Sequence, residues 1–152
     1  MMSLKWHQRI TSCLGIGYLK GGGTIAAVVC CIPWYLTRTA DSFNQAALVA
    51  TVVVTIAGAW SAGKVETVWG KDSSRVVIDE VAGMMISLLF IPVTIATVTT
   101  GFVLFRLLDI TKPLFIRKAE SIPGGWGVMI DDIIAGLYTN LLLHIFMWYN
   151  VF

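Results

Sequence analysis

Four stretches of this chain contain no Asp, Glu, Lys or Arg: residues 21–37, 42–63, 81–105 and 133–152, which are 17, 22, 25 and 20 residues long. A helix needs about 20 mainly apolar residues to cross a bilayer. The second and fourth stretches meet that length, the first is short and the third is long. The composition agrees. The chain is 57% hydrophobic and 13% charged, against about 25% charged in ordinary soluble domains, and its mean hydropathy is +0.78. That much apolar surface has to face something other than water. The expectation is an all-α fold, a multihelical integral membrane bundle with about three to four spanning helices. Its 152 residues suffice for a single domain, 1–152. The alternative is a soluble bundle of unusually apolar helices.

The segments between these stretches exclude several classes. Residues 1–20 are mixed and polar, with no apolar core of a cleavable leader. A net charge of +2 is too small to suggest nucleic acid as a partner. Cys13, Cys30 and Cys31 have neither disulfide-framework nor zinc spacing and read as small packing residues. His7 and His144 stand far apart, which argues against zinc.

Within the apolar stretches, Lys20-Gly21-Gly22-Gly23-Thr24 reads as a glycine turn, with Thr24 placed to N-cap the helix that follows. Trp34 and Tyr35 suit a membrane interface. Gly58/Ala62 and Ala59/Gly63 have the small-xxx-small spacing that lets helices approach closely in lipid. Pro92 interrupts the third stretch, which is therefore either one kinked span or a helix–break–helix hairpin.

Eight of the nine acids fall in residues 64–132, six of them in three groups. In Lys71–Glu80, a continuous helix would pair Arg75 with Asp79 at i,i+4 and put Asp72 on the face of Asp79. Arg106, Asp109 and Lys112 recur every third residue and share one side of a helix that Pro113 ends. Asp131 and Asp132 follow a Gly-rich run and open the last apolar stretch. Each group also has a plain reading: a solvated helix end, a self-neutralising stripe, or a pair of helix caps. Together, at the borders of membrane segments, they point to a hard, oxygen-liganded ion such as Mg²⁺ holding a phosphate.

VVIDEVAG (76–83), FRLLDITKP (105–113) and GGWGVMIDDIIAG (124–136), in this order and spacing, resemble phosphatidylglycerophosphatase A. KGGGTIAA (20–27) resembles that family's N-terminal glycine-threonine motif, and the likeness covers roughly residues 15–140. Leu19-Lys20-Gly21-Gly22-Gly23 and Lys71-Asp72-Ser73 depart from the family's usual wording. The resemblance implies a multi-pass enzyme of the bacterial inner (cytoplasmic) membrane, its active site facing the cytoplasm. That enzyme would use Mg²⁺ to hydrolyse the terminal phosphomonoester of phosphatidylglycerophosphate, giving phosphatidylglycerol. Carried over residue by residue, the site comprises Thr24, Asp72, Asp79, Glu80, Arg106, Asp109, Lys112, Asp131 and Asp132.

The expected roles divide as follows. Asp72, Asp79, Glu80, Asp131 and Asp132 hold the metal. Thr24, Arg106 and Lys112 bind phosphate. Asp79, Asp109 and Asp131 do the catalysis, with either water or an Asp as nucleophile. Cys-x₅-Arg, paired nucleophilic histidines and Asp-x-Asp are absent, which leaves carboxylate–metal chemistry. A membrane transporter or metal-binding subunit with acids along an ion path is the competing class, but it would place its acids mid-span. One site also requires 81–105 to return to the face it started from, breaking near Pro92. Each arm would then be about 17 Å long at 1.5 Å per residue, too short to cross fully.

Overall fold

The computed structural model describes residues 3–40, 43–71, 73–113, 116 and 122–152. All regular structure among them is helical: α1 (Leu4–Thr11), a 3₁₀ turn (Ile16–Tyr18), α2 (Gly22–Thr37), α3 (Phe43–Trp69), α4 (Ile78–Leu88), α5 (Ile95–Thr111) and α6 (Gly125–Trp148). α6 is the central element, with α3, α4 and α5 packed on it, while α2 lies on α4 and α1 on α3. Phe105, Met84, Leu88, Met129 and Leu143 are fully buried between these helices.

Two of the described helices, α3 and α6, are long and apolar enough to cross a membrane. α2 has 16 residues, α5 has 17 and α4 has 11, so two helices meet the length of a span where three to four were expected. Leu48, Val49, Val52, Val53, Ile56 and Trp60 of α3 are exposed, as lipid-facing side chains are. These features are consistent with membrane association. Trp34, expected at an interface, is instead buried against the ring of Phe43, because α2 turns that face inward.

The third apolar stretch is two helices, and the break is built from side chains as much as from Pro92. α4 ends at Leu88, and Phe90 takes a left-handed conformation, φ 59°. A helix end leaves carbonyls open, and leaving them open in an apolar interior is costly. Asn140 of α6 meets them, donating through Nδ2 to the carbonyls of Leu89 (2.8 Å), Ile86 (3.1 Å) and Ser87 (3.2 Å). On the far side, Thr94 and Thr97 form a reciprocal capping box that starts α5, and the Thr97 hydroxyl donates to the carbonyl of Pro92. The chain then returns to its starting end, where Arg106 meets Glu80. The arms are unequal, 11 residues in α4 and 17 in α5, and the link between them opens on a turn at Leu89 and Phe90. Phe90–Val93 share a pocket with Arg38 and Asn44 beside the α2–α3 turn.

Candidate active site

Small residues bring the acids together. A Cβ on Gly83 of α4 would lie 2.6 Å from the Asp132 carbonyl oxygen, and one on Gly136 of α6 would lie 2.4 Å from the Gly83 carbonyl oxygen. Only glycine at this crossing lets the two backbones touch. The contact sits one turn below the acid pair of α4, so Asp79, Glu80 and Asp132 each present an oxygen within 4.8 Å of the others. Ala59 and Gly63 of α3 meet Gly125 in the same way, which sets the height of α6. Here the small-xxx-small spacing and the pair Ala135-Gly136 do what their pattern implies.

α5 supplies the cations. Arg106 donates to Asp109 and lies 3.9 Å from Glu80. α5 stops at Thr111, and Lys112, in a left-handed cap at φ 44°, turns its ammonium onto Asp131 Oδ2 at 2.7 Å. Asp79, Glu80, Asp109, Lys112, Asp131 and Asp132 thus line one cavity of about 250 Å³ with Ser73 and Ser74. A second polar cavity of about 620 Å³ adjoins it across Glu80 and contains Thr24 and Arg106. The expected phosphate-binding residues are therefore divided, with Lys112 in the acid cavity and Thr24 and Arg106 in the neighbouring one. Asp72 lies outside the described residues.

Three carboxylate oxygens here, Glu80 Oε2, Asp131 Oδ1 and Asp132 Oδ1, are buried without a hydrogen-bond partner among the described residues. Unpaired buried acceptors of this kind are expensive. Burial raises the Asp79 carboxyl well above the usual carboxylate range, and the charge of Glu80 adds to the effect. Burial raises Glu80 as well, with Arg106 pulling the other way. A set of hard oxygen donors with open lone pairs and suppressed ionisation fits a divalent cation such as Mg²⁺. Asp79, Glu80 and Asp132 form the tightest group. Asp131 gives one oxygen to Lys112 and keeps the other unpaired.

Several local expectations change. Residues 73–77 are not helical and α4 starts at Ile78, so no i,i+4 pair joins Arg75 to Asp79; the Arg75 guanidinium lies over the Tyr18 and Trp69 rings instead. α2 starts at Gly22, capped by the left-handed Gly21, which puts Thr24 inside the first turn and not at the cap. α6 starts at Gly125, so Asp131 and Asp132 lie well inside a helix and cap nothing. Three glycines in succession obscure the first boundary and a Gly-Gly pair the second, because glycine is as much a turn signal as a tight-packing one. The role of Asn140 has no counterpart in the sequence reading, although a single Asn before the aromatic end of a 20-residue uncharged stretch is a visible signal.

Apolar helices whose ends enclose carboxylates and cations define a class: a helical membrane protein that handles a charged group beside the bilayer. Comparison with known proteins narrows it. The chain belongs to the phosphatidylglycerophosphatase A family, whose model matches residues 9–147. It is 44% identical over 148 residues to a Bacteroides thetaiotaomicron protein named "Putative phosphatidylinositol-3-phosphatase", covering 89% of this chain and 92% of that one. It is 32% identical over 150 residues to phosphatidylglycerophosphatase A of Escherichia coli K12, covering 94% of this chain and 84% of that one. Over 74 residues, 47% of this chain and 45% of the relative, it is 38% identical to phosphatidylglycerophosphatase A of Haemophilus influenzae. No solved structure matches it. Family membership makes the chain an enzyme of phospholipid metabolism, a phosphatase.

Proposed function

We propose that this enzyme removes the terminal phosphate of phosphatidylglycerophosphate with Mg²⁺, at the cytoplasmic face of a bacterial inner membrane. The observation that carries the reading is the acid cavity itself. Five carboxylates surround a single lysine there, and three of their oxygens have no partner among the described residues. A phosphate enters such a cavity only with cations beside it. Asp79, Glu80 and Asp132 would hold the ion together with Asp72, while Asp131 keeps Oδ1 open beside them. Bound there, Mg²⁺ would neutralise phosphate charge and make a water more acidic.

The chain's own groups divide the remaining work. Lys112 binds a phosphate oxygen and fixes Asp131. Asp131 Oδ1 takes the proton of a water that adds to phosphorus, the bond from phosphorus to the glycerol oxygen breaks, and the leaving alkoxide takes its proton from solvent water, to which Asp131 then returns the one it holds. Asp109 holds Arg106 at the edge of the cavity, where its charge opposes that building on the phosphoryl oxygens. In the bilayer, α2, α3 and α6 cross and the α4–α5 hairpin enters and leaves by the face that bears the site, within the three to four spans the sequence suggests.

A second substrate reading rests on the relative that shares 44% identity, whose printed name points to phosphatidylinositol 3-phosphate. Both head groups carry a monoester phosphate beyond a diester phosphate. Phosphate release from the two lipids by purified protein, with Mg²⁺ and with EDTA, decides between them. Asp79→Asn and Asp132→Asn should each lower kcat by about 100-fold or more, the scale of losing one preorganised charge-stabilising group. Near-wild-type turnover in both variants would sink the reading.

A further inference from the structure

The cations of this site serve two cavities, and the monoester phosphate occupies only the smaller one, with Arg106 at the boundary. The larger cavity is lined by residues 17–24, Lys20 among them, by Ser74 and Val76, and by Arg75, Arg106 and Glu80. We propose that this glycine-walled cavity is a subsite for the diester phosphate of the lipid head group, with Arg75 and Lys20 as its specificity-determining cations. The proposal rests on the lipid-phosphatase reading and adds to it which part of the substrate the enzyme checks.

Charge separates the two cavities. The acid cavity sets five carboxylates against one ammonium. The glycine cavity sets three cations against one carboxylate, Glu80, which is shared and already lies 3.9 Å from Arg106. One cavity therefore needs added cations before it accepts phosphate, and the other accepts an anion as it stands. The donors are arranged accordingly. Arg106 pairs through one terminal nitrogen with Asp109, and its buried Nε has no partner among the described residues. The sixteen-residue α2 opens into the cavity at Gly22 with no side chain capping it, and a helix start of this kind favours negative charge.

The two cavities share Ser74, Val76 and Glu80. A Cβ on Gly23 would fall 1.8 Å from Glu80 Oε1, so glycine there lets the α2 backbone rest against the carboxylate both cavities share. A ligand with two phosphates joined by a short polyol can then place one in each. Arg75 is held in position from below and from the side. Gly17 packs under its backbone, where a Cβ would lie 2.0 Å from the Arg75 carbonyl oxygen. Its guanidinium stands 5.9 Å from the Tyr18 ring and 5.8 Å from that of Trp69. An exposed arginine fixed in this way loses little freedom when it meets phosphate.

The test separates the subsite from the chemistry. The probe is glycerophosphoglycerol, a water-soluble diester with no monoester phosphate, titrated calorimetrically into the full-length protein in detergent. Wild type should bind it. Arg75→Ala and Lys20→Ala should each weaken binding about 10-fold to 100-fold, the range of one hydrogen bond to a charged group. Asp131→Asn should leave binding within about twofold, because that acid lines only the other cavity, where it pairs with Lys112. Absence of binding to wild type, unchanged binding to Arg75→Ala, or equal loss in Asp131→Asn would each overturn the subsite. Failure of wild type to release phosphate from any two-phosphate lipid would overturn the catalytic reading instead, a result the calorimetry does not depend on.

Discussion

At the scale of single residues, the site is defined by groups that the protein alone does not satisfy. Glu80 Oε2, Asp131 Oδ1 and Asp132 Oδ1 are buried acceptors with no donor among the described residues. A divalent cation that binds only the folded chain should stabilise it by about 2.7 kcal/mol at a hundredfold excess over its Kd. That corresponds to a rise of about 5–10 °C in Tm for a chain of this size. Thermal unfolding in detergent with Mg²⁺ and with EDTA measures the difference, and Asp132→Asn should abolish most of it. The pH dependence has a definite sign. Asp79 and Glu80 have raised values in the folded chain, so without the ion the folded state holds protons that the unfolded chain has released. Stability of the metal-free protein should therefore fall as pH rises from the ordinary carboxylate range, near pH 4, toward the raised values. Mg²⁺ should flatten that slope, and its affinity should rise with pH because binding displaces those protons. A metal-free protein that gains stability over this interval would contradict the arrangement.

At the scale of elements, the acids meet because α4 and α6 touch backbone to backbone at Gly83 and Gly136. Gly83→Ala places a methyl 2.6 Å from both the Asp132 carbonyl and the ring of Phe105, which is fully buried. Neither can yield without moving a helix. The change should cost about 1–3 kcal/mol, as overpacking does. It should also lower turnover by more than about tenfold by parting Asp79 and Glu80 from Asp132. Retention of full activity would show that the crossing does not set the site. This element-level cause also explains what the sequence showed and what it hid. The acids and the hairpin at 81–105 were legible, because uncharged stretches and Pro92 report on burial and helix breaks directly. The Arg106–Asp109–Lys112 period was legible only for its first two members, since α5 ends at Thr111 and Lys112 turns off the helix into the other cavity. The helix boundaries at Gly22, Ile78 and Gly125 were not legible. Glycines that start a helix and glycines that pack against one look identical in sequence, and only the contact partner separates them. The division of Thr24 and Arg106 from Lys112 was hidden for a related reason. Which cavity a side chain lines depends on the wall Gly23 forms with Glu80, a contact between residues far apart in the chain.

At the scale of the whole molecule, the helix directions fix what each end faces. The starts of α2, α4 and α6 and the end of α5 gather around the two polar cavities, with the end of α3 beside them where Trp69 meets Arg75. The end of α2, the start of α3 and the hairpin tip Phe90–Val93 meet at the opposite pole, around Arg38 and Asn44. If α2, α3 and α6 each cross, these poles lie on opposite faces of the bilayer, and the C-terminal end of α6 lies with the second. Single cysteines test this in a background where Cys13, Cys30 and Cys31 are replaced by Ala. Ser74→Cys, Asn44→Cys and Asn150→Cys all report from exposed positions. A membrane-impermeant maleimide added outside intact cells with a permeabilised outer membrane should label positions 44 and 150 and spare position 74. Labelling of 74 should appear only once the inner membrane is opened. Labelling of 44 and 74 from one side would mean that α2 and α3 do not cross, leaving α6 as the chain's single passage and the cavities at the surface of a mainly peripheral bundle. The tip gives an internal control, since it shares a pocket with Asn44 and a cysteine at Val93 should follow 44 and not 74. That pattern would place the hairpin through most of the bilayer while both its ends stay beside the phosphate, the one route by which acids on α4 and cations on α5 reach the same substrate.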